Sequence, residues 1–147
     1  MKSIFNVAIR DELIQRIQSL KPGDSALWGK MTLYQMLRHC ILWDEMVEGK
    51  KKYKQVFLGK LFGKMILKKV LKNDAPLRKN TPTLPALKIV GSGDIALEKS
   101  NWIAHIQQYA QFSNTNLVHP FFGKMSKEEI GYMVYKHADH HLRQFGA

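Results

Sequence analysis

His137 and His141 stand one helical turn apart in the segment Lys136-His137-Ala138-Asp139-His140-His141-Leu142-Arg143-Gln144, where the surrounding pattern calls for core residues. Counted at about 100° per residue, Ile130, Met133, Val134, His137, Ala138, His141 and Phe145 share one helical face, and Lys136, Asp139 and Arg143 take the other. A neutral imidazole in a core needs partners for both ring nitrogens. Two imidazoles stacked on one face can satisfy that need by sharing a metal ion. His140 falls at the edge of the stripe, which suits a supporting or surface role, and His137 with His140 forms the competing pair at i, i+3.

A third candidate comes from the helix that Thr32 caps and that runs to about Glu48. There His39 lies roughly 40° from Trp43 and beside Met46, away from the polar arc of Arg38 and Glu45. If this helix packs beside the last one, His39, His137 and His141 converge as three nitrogen donors. Three neutral imidazoles suit zinc, nickel or another late divalent ion and leave positions open for water or substrate. Ordinary core packing is the competing account of each histidine. Of the remaining two, His105 is expected to be solvated, and His119, before Pro120 in a loop, to pack structurally rather than reach a pocket. Cys40 sits on the apolar stripe and is a packing residue; Trp28, Trp43 and Met46 are candidate pocket walls that core packing explains equally well.

The elements that must position these residues are helices. Four longer helical segments emerge and no convincing strand. The first runs from about Asn6 to Leu20 and is stopped by Lys21-Pro22-Gly23-Asp24. The Thr32 helix follows, with Leu33, Met36, Leu37, Cys40, Ile41 and Val47 apolar. A less regular stretch, Lys54 to Lys72, sets Lys60, Lys64, Lys68 and Lys72 opposite Phe57, Leu58, Leu61, Met65 and Ile66, and its two glycines allow it to break into shorter pieces. Asn73 to Gly93, with Pro76, Pro82 and Pro85, is expected to cross the helices as an ordered irregular segment, a kind of loop that often lines a site. Asp94 opens the next helix, to about Phe112, and Ser126-Lys127-Glu128-Glu129 is a capping box for the last, which ends at Gly146. The expected fold is all-α, an antiparallel helical bundle in a single domain spanning residues 1–147.

Composition narrows the functional classes. A chain of 147 residues, 45% hydrophobic, can bury a core without disulfides or structural metal, so a bound metal is free to be functional. With Cys40 as the sole cysteine there is neither a disulfide framework nor a cysteine zinc site. Charge at Arg10 and Asp11 interrupts the N-terminus before a signal h-region develops, and no stretch approaches a transmembrane segment, which together predict a cytoplasmic protein. The net charge of +11 is concentrated: nine lysines lie between Lys50 and Lys72, with no acidic residue from Gly49 to Asn73. A solvated lysine face is the plain account. The functional ones are a nucleic acid, an anionic membrane surface or an acidic small molecule, and the absence of a nucleic-acid-binding motif disfavours the first. His-Glu-x-x-His, Gly-x-Ser-x-Gly and the P-loop are all missing.

Trp28-Gly29-Lys30-Met31-Thr32, Gln35-Met36-Leu37-Arg38-His39-Cys40, His119-Pro120-Phe121-Phe122-Gly123-Lys124-Met125 and the final Lys136 to Gly146 segment together resemble the DinB/YfiT-like superfamily, and within it an uncharacterised bacterial branch. The resemblance spans nearly the whole chain, although Lys50 to Lys99 carries no signature of it. It implies a four-helix bundle with a divalent metal on three histidines, one from the second helix and two from the last, which fall on His39, His137 and His141. Gln144 matches the glutamine that commonly follows the last ligand. Characterised members include metal-dependent transferases using low-molecular-weight thiols such as bacillithiol or mycothiol, and a thiol-dependent isomerase; a homodimer also accords with the resemblance. The leading expectation is therefore a metal-dependent enzyme acting on a small-molecule substrate, as a thiol S-transferase, isomerase or hydrolase. The alternatives are a non-catalytic metal- or ligand-binding, stress-associated protein and, behind it, a basic nucleic-acid or membrane-surface module.

Overall fold

The computed structural model describes residues 1–114 and 116–147 and is mostly helical: α1 (Val7–Ser19), α2 (Leu33–Val47), α3 (Phe57–Val70), α4 (Ile95–Gln108) and α5 (Lys127–Gln144). Short 3-10 turns occupy Pro85–Leu87 and Tyr109–Gln111. Two strands of two residues each, β1 (Val118–His119) and β2 (Gly123–Lys124), pair antiparallel around Pro120-Phe121-Phe122. No periodicity can announce strands this short, and none was expected.

The helix starts follow from side chains that satisfy otherwise orphaned N–H groups. Asn6 accepts from the Ala8 amide, Asp94 from Leu97, and reciprocal capping boxes join Thr32 to Gln35 and Ser126 to Glu129. α3 has no side-chain cap; the Val56 N–H instead donates to the Pro120 carbonyl, tying its start to the β hairpin. Its glycines do not divide it.

α2 packs against α4 and α5, and α1 against the same two helices, with the core between them built from Leu13, Ile17, Met36, Leu37, Ile41, Trp102, Ile106, Ile130 and Leu142. α3 lies against β2. The polar face of α5 is covered: Lys136 and Asp139 are buried, because the Lys136 ammonium donates to the Asn73 and Ala75 carbonyls and Asp139 accepts from Arg16 and Arg143. Phe57, Leu58, Leu61, Phe62 and Met65 of α3, conversely, face outward. Among the described residues, no helix is long and apolar enough to cross a membrane.

Candidate metal centre

α2 delivers His39 and α5 delivers His137 and His141 into one buried cluster, 3, 9 and 7% exposed respectively. One candidate ligand atom from each lies within 4.8 Å of the other two. The nearest pair is His39 Nε2 and His137 Nε2, 3.2 Å apart. An ion with bonds of about 2.0–2.1 Å holds tetrahedral nitrogens about 3.3 Å apart, so this spacing fits a shared ion.

The surroundings decide which nitrogens carry protons. His39 Nδ1 lies 2.9 Å from the Leu87 carbonyl, which only accepts, so Nδ1 is the donor and Nε2 keeps its lone pair. His141 is fixed by a longer relay. The Trp28 carbonyl, also an acceptor only, takes a hydrogen bond from Gln144 Nε2 at 2.8 Å, which turns Gln144 Oε1 towards His141 Nδ1 at 3.0 Å. His141 Nδ1 must then donate, leaving its Nε2 lone pair for the cluster. Gly29 makes the relay possible: it has φ +80°, and a Cβ there would stand 2.9 Å from Gln144 Nε2. His137 is held by packing, its ring stacked on Trp43 at 4.4 Å and 16°.

Burial lowers the pKa of His39 despite its bond to Leu87, and that of His141 further, with His39 adding to the effect. His137 is lowered well below the usual imidazole value by burial and then by His141 and His39. At neutral pH the cluster is therefore three neutral rings with at least two lone pairs aimed inward. Three such donors could hold a metal ion.

His140, half-buried, meets the Trp28 and His141 rings edge-on. It also lines a cavity of about 360 Å³ with Trp28, Lys79 and Arg143. Met46 lines a second cavity, of about 520 Å³, with Tyr53, Asn116 and Leu117. His119 packs as expected: Nδ1 accepts from the Phe121 and Phe122 amides, its ring stacks on Phe122, and burial lowers its pKa to about 4. His105 is not solvated. It bonds Glu48 at 2.7 Å, and that carboxylate raises its pKa.

Sequence reasoning missed the buried carboxyl of Asp44, which accepts from Trp102 Nε1 and the Tyr109 hydroxyl and whose pKa burial raises to about 7. The available signal was a carboxylate three and four residues from Ile41, Cys40 and Val47 on an apolar stripe. The Leu87 carbonyl left no such signal, being main chain.

Fold and site together define a mostly helical protein with three converging buried histidines that can bind a metal ion. The chain belongs to the family described as protein of unknown function (DUF1569), whose model matches residues 5–147. Neither a curated protein nor a solved structure matches it.

Proposed function

We propose that this is a divalent-metal protein of the DinB-like kind, with zinc, nickel or a similar late ion on His39, His137 and His141, and that the site serves an enzyme acting on a small molecule. The observation that carries the reading is the convergence of the three rings with two of them locked, by Leu87 and by Gln144, in the tautomer that leaves Nε2 free. The mutual packing of α1, α2, α4 and α5, each against two of the others, supports an antiparallel four-helix bundle as the frame. When bound, such an ion supplies Lewis acidity that lowers the pKa of a water or a low-molecular-weight thiol at its open positions. The chain's own residues do the positioning. Leu87 and Gln144 orient two rings, and Trp43 covers the face of the third and keeps water from it. A thiol nucleophile gives an S-transferase or isomerase, and water a hydrolase.

The low exposure of the three histidines favours one second reading, a metal- or ligand-binding protein without turnover. Metal analysis of the purified protein beside His39→Ala and His141→Ala tests the site: we expect one divalent ion per chain, lost from both variants. Unchanged metal content in either would remove that residue from the ligand set. A screen of thiols against electrophilic substrates then separates enzyme from binder.

A further inference from the structure

α3 turns its apolar side away from the protein. Phe57, Leu58, Leu61, Phe62 and Met65 are 72, 60, 59, 46 and 63% exposed, and at the helical repeat they fill one continuous arc of about 140°. The edge that faces inward is Gly59, Gly63 and Leu67. A Cβ at Gly59 would stand 2.5 Å from the Phe121 carbonyl oxygen, and one at Gly63 would overlap the same atom. The helix is thus seated backbone against backbone on the hairpin turn. Rotating the apolar arc inward would drive Phe or Leu side chains into space that admits only glycine.

The same segment holds the chain's charge. Of the nine lysines from Lys50 to Lys72, Lys50, Lys51 and Lys64 are paired with Glu48, Glu45 and Glu129. Among the described residues, Lys52, Lys54, Lys60, Lys68, Lys69 and Lys72 make no ion pair. By helical position, Lys60 and Lys64 border the arc on one side and Lys68 and Lys69 close its C-terminal end.

Charge and apolar surface together select the occupant. A second copy stacked on this face would bring its own unpaired Lys60, Lys68 and Lys69 against those of the first, a like-charge contact that opposes association. A nucleic acid would neutralise the lysines but leave five large apolar side chains in water. An anionic lipid surface accepts both features: the arc enters the boundary between headgroups and acyl chains, and the lysines meet the phosphates. We propose that α3 is an interfacial helix that docks the protein on an anionic membrane surface, lying in its plane. The inference is independent of the metal site.

Flotation of the full-length protein with vesicles of phosphatidylglycerol and phosphatidylcholine, beside vesicles of phosphatidylcholine alone, tests it. Binding is expected only to the anionic vesicles and should weaken as salt rises. Two double variants, Leu61→Gln with Met65→Gln and Lys60→Gln with Lys68→Gln, should each lower partitioning by about tenfold or more. Both pairs are exposed, so circular dichroism and metal content should match the parent protein. Phe62→Trp emission should shift to the blue on anionic vesicles, reporting entry into the interface. Equal partitioning onto neutral vesicles, unchanged partitioning of either double variant, or no partitioning at all would overturn the proposal. So would conversion of a dimer to a monomer by the apolar pair in sedimentation velocity without vesicle binding, which would assign the face to a second copy.

Discussion

Single atoms decide whether the histidine cluster presents lone pairs or protons. At His39 the decision is made by a main-chain carbonyl, and at His141 by an amide that a second main-chain carbonyl has oriented. Gln144 is therefore a positioning residue whose loss leaves every candidate ligand in place. Gln144→Leu strands His141 Nδ1–H and the Trp28 carbonyl without partners and frees the ring to turn. Metal affinity should fall about 10- to 100-fold, whereas Gln144→Glu, which still accepts from Nδ1 but no longer donates to the Trp28 carbonyl, should lose less. Competition against a chelator of known affinity measures both; equal affinity in Gln144→Leu would disprove the relay. The three histidines themselves were legible because spacing along a helix fixes direction, and Gln144 was reached only through the resemblance. Leu87 was not legible, since any residue supplies a carbonyl and only the path of the 73–93 segment brings this one to His39. The burial of Lys136 and Asp139 was not legible for a related reason: charges usually mark a solvated face, but here carbonyls from residues 73 and 75 and the guanidinium of Arg16 lie over them.

Among the elements, caps were the most readable features. Thr32, Asp94 and Ser126 each start a helix where a side-chain acceptor was expected. α3 shows the limit of pattern reading, because periodicity reveals which face is apolar and not which face is buried. Its glycines looked like breaks, and they are the contact surface. Gly63→Ala should consequently cost about 1–3 kcal/mol, the range for forcing an extra methyl group into filled space, and should loosen the Phe121-Phe122 turn on which His119 is stacked. Gly23→Ala is the matched control, since nothing lies within 4 Å of a Cβ there, and it should change stability by less than about 0.5 kcal/mol. Urea unfolding of the two variants gives the comparison, and equal midpoints would mean that α3 is not seated through its glycine edge.

At the scale of the whole molecule, the cluster joins parts that are distant in sequence: α2 through His39, α5 through His137 and His141, the 73–93 segment through the Leu87 carbonyl, and the residue 28–29 turn through Gln144. A ligand that binds only this assembled arrangement stabilises all of it by mass action, by about 2.7 kcal/mol at a hundredfold excess over its dissociation constant. For a chain of this size that corresponds to a rise in Tm of roughly 5–10 °C. Adding zinc or nickel to chelator-treated protein at pH 7.5 should produce such a rise, and His141→Ala should show none. The pH dependence has a definite sign. Protons compete with the ion for the same nitrogens, but burial has lowered the pKa of all three histidines below that of free imidazole. The metal-dependent increment should therefore persist to a lower pH than solvent-exposed imidazole ligands would allow, and shrink as the solution becomes more acidic. The metal-free protein loses stability over an overlapping window. His119, with its folded pKa near 4 against an ordinary 6.5, contributes fully above pH 6.5 and progressively less as pH falls towards 4, and the three cluster histidines, lowered in the same direction, add to that loss. Melting curves from pH 7.5 to 4.5, with and without the ion, separate the two effects, because protonation of the buried histidines on unfolding lowers both curves and displacement of the ion by protons closes the gap between them. A gap that closes already by pH 6.5, or that never opens, would be incompatible with an ion held by these three buried rings.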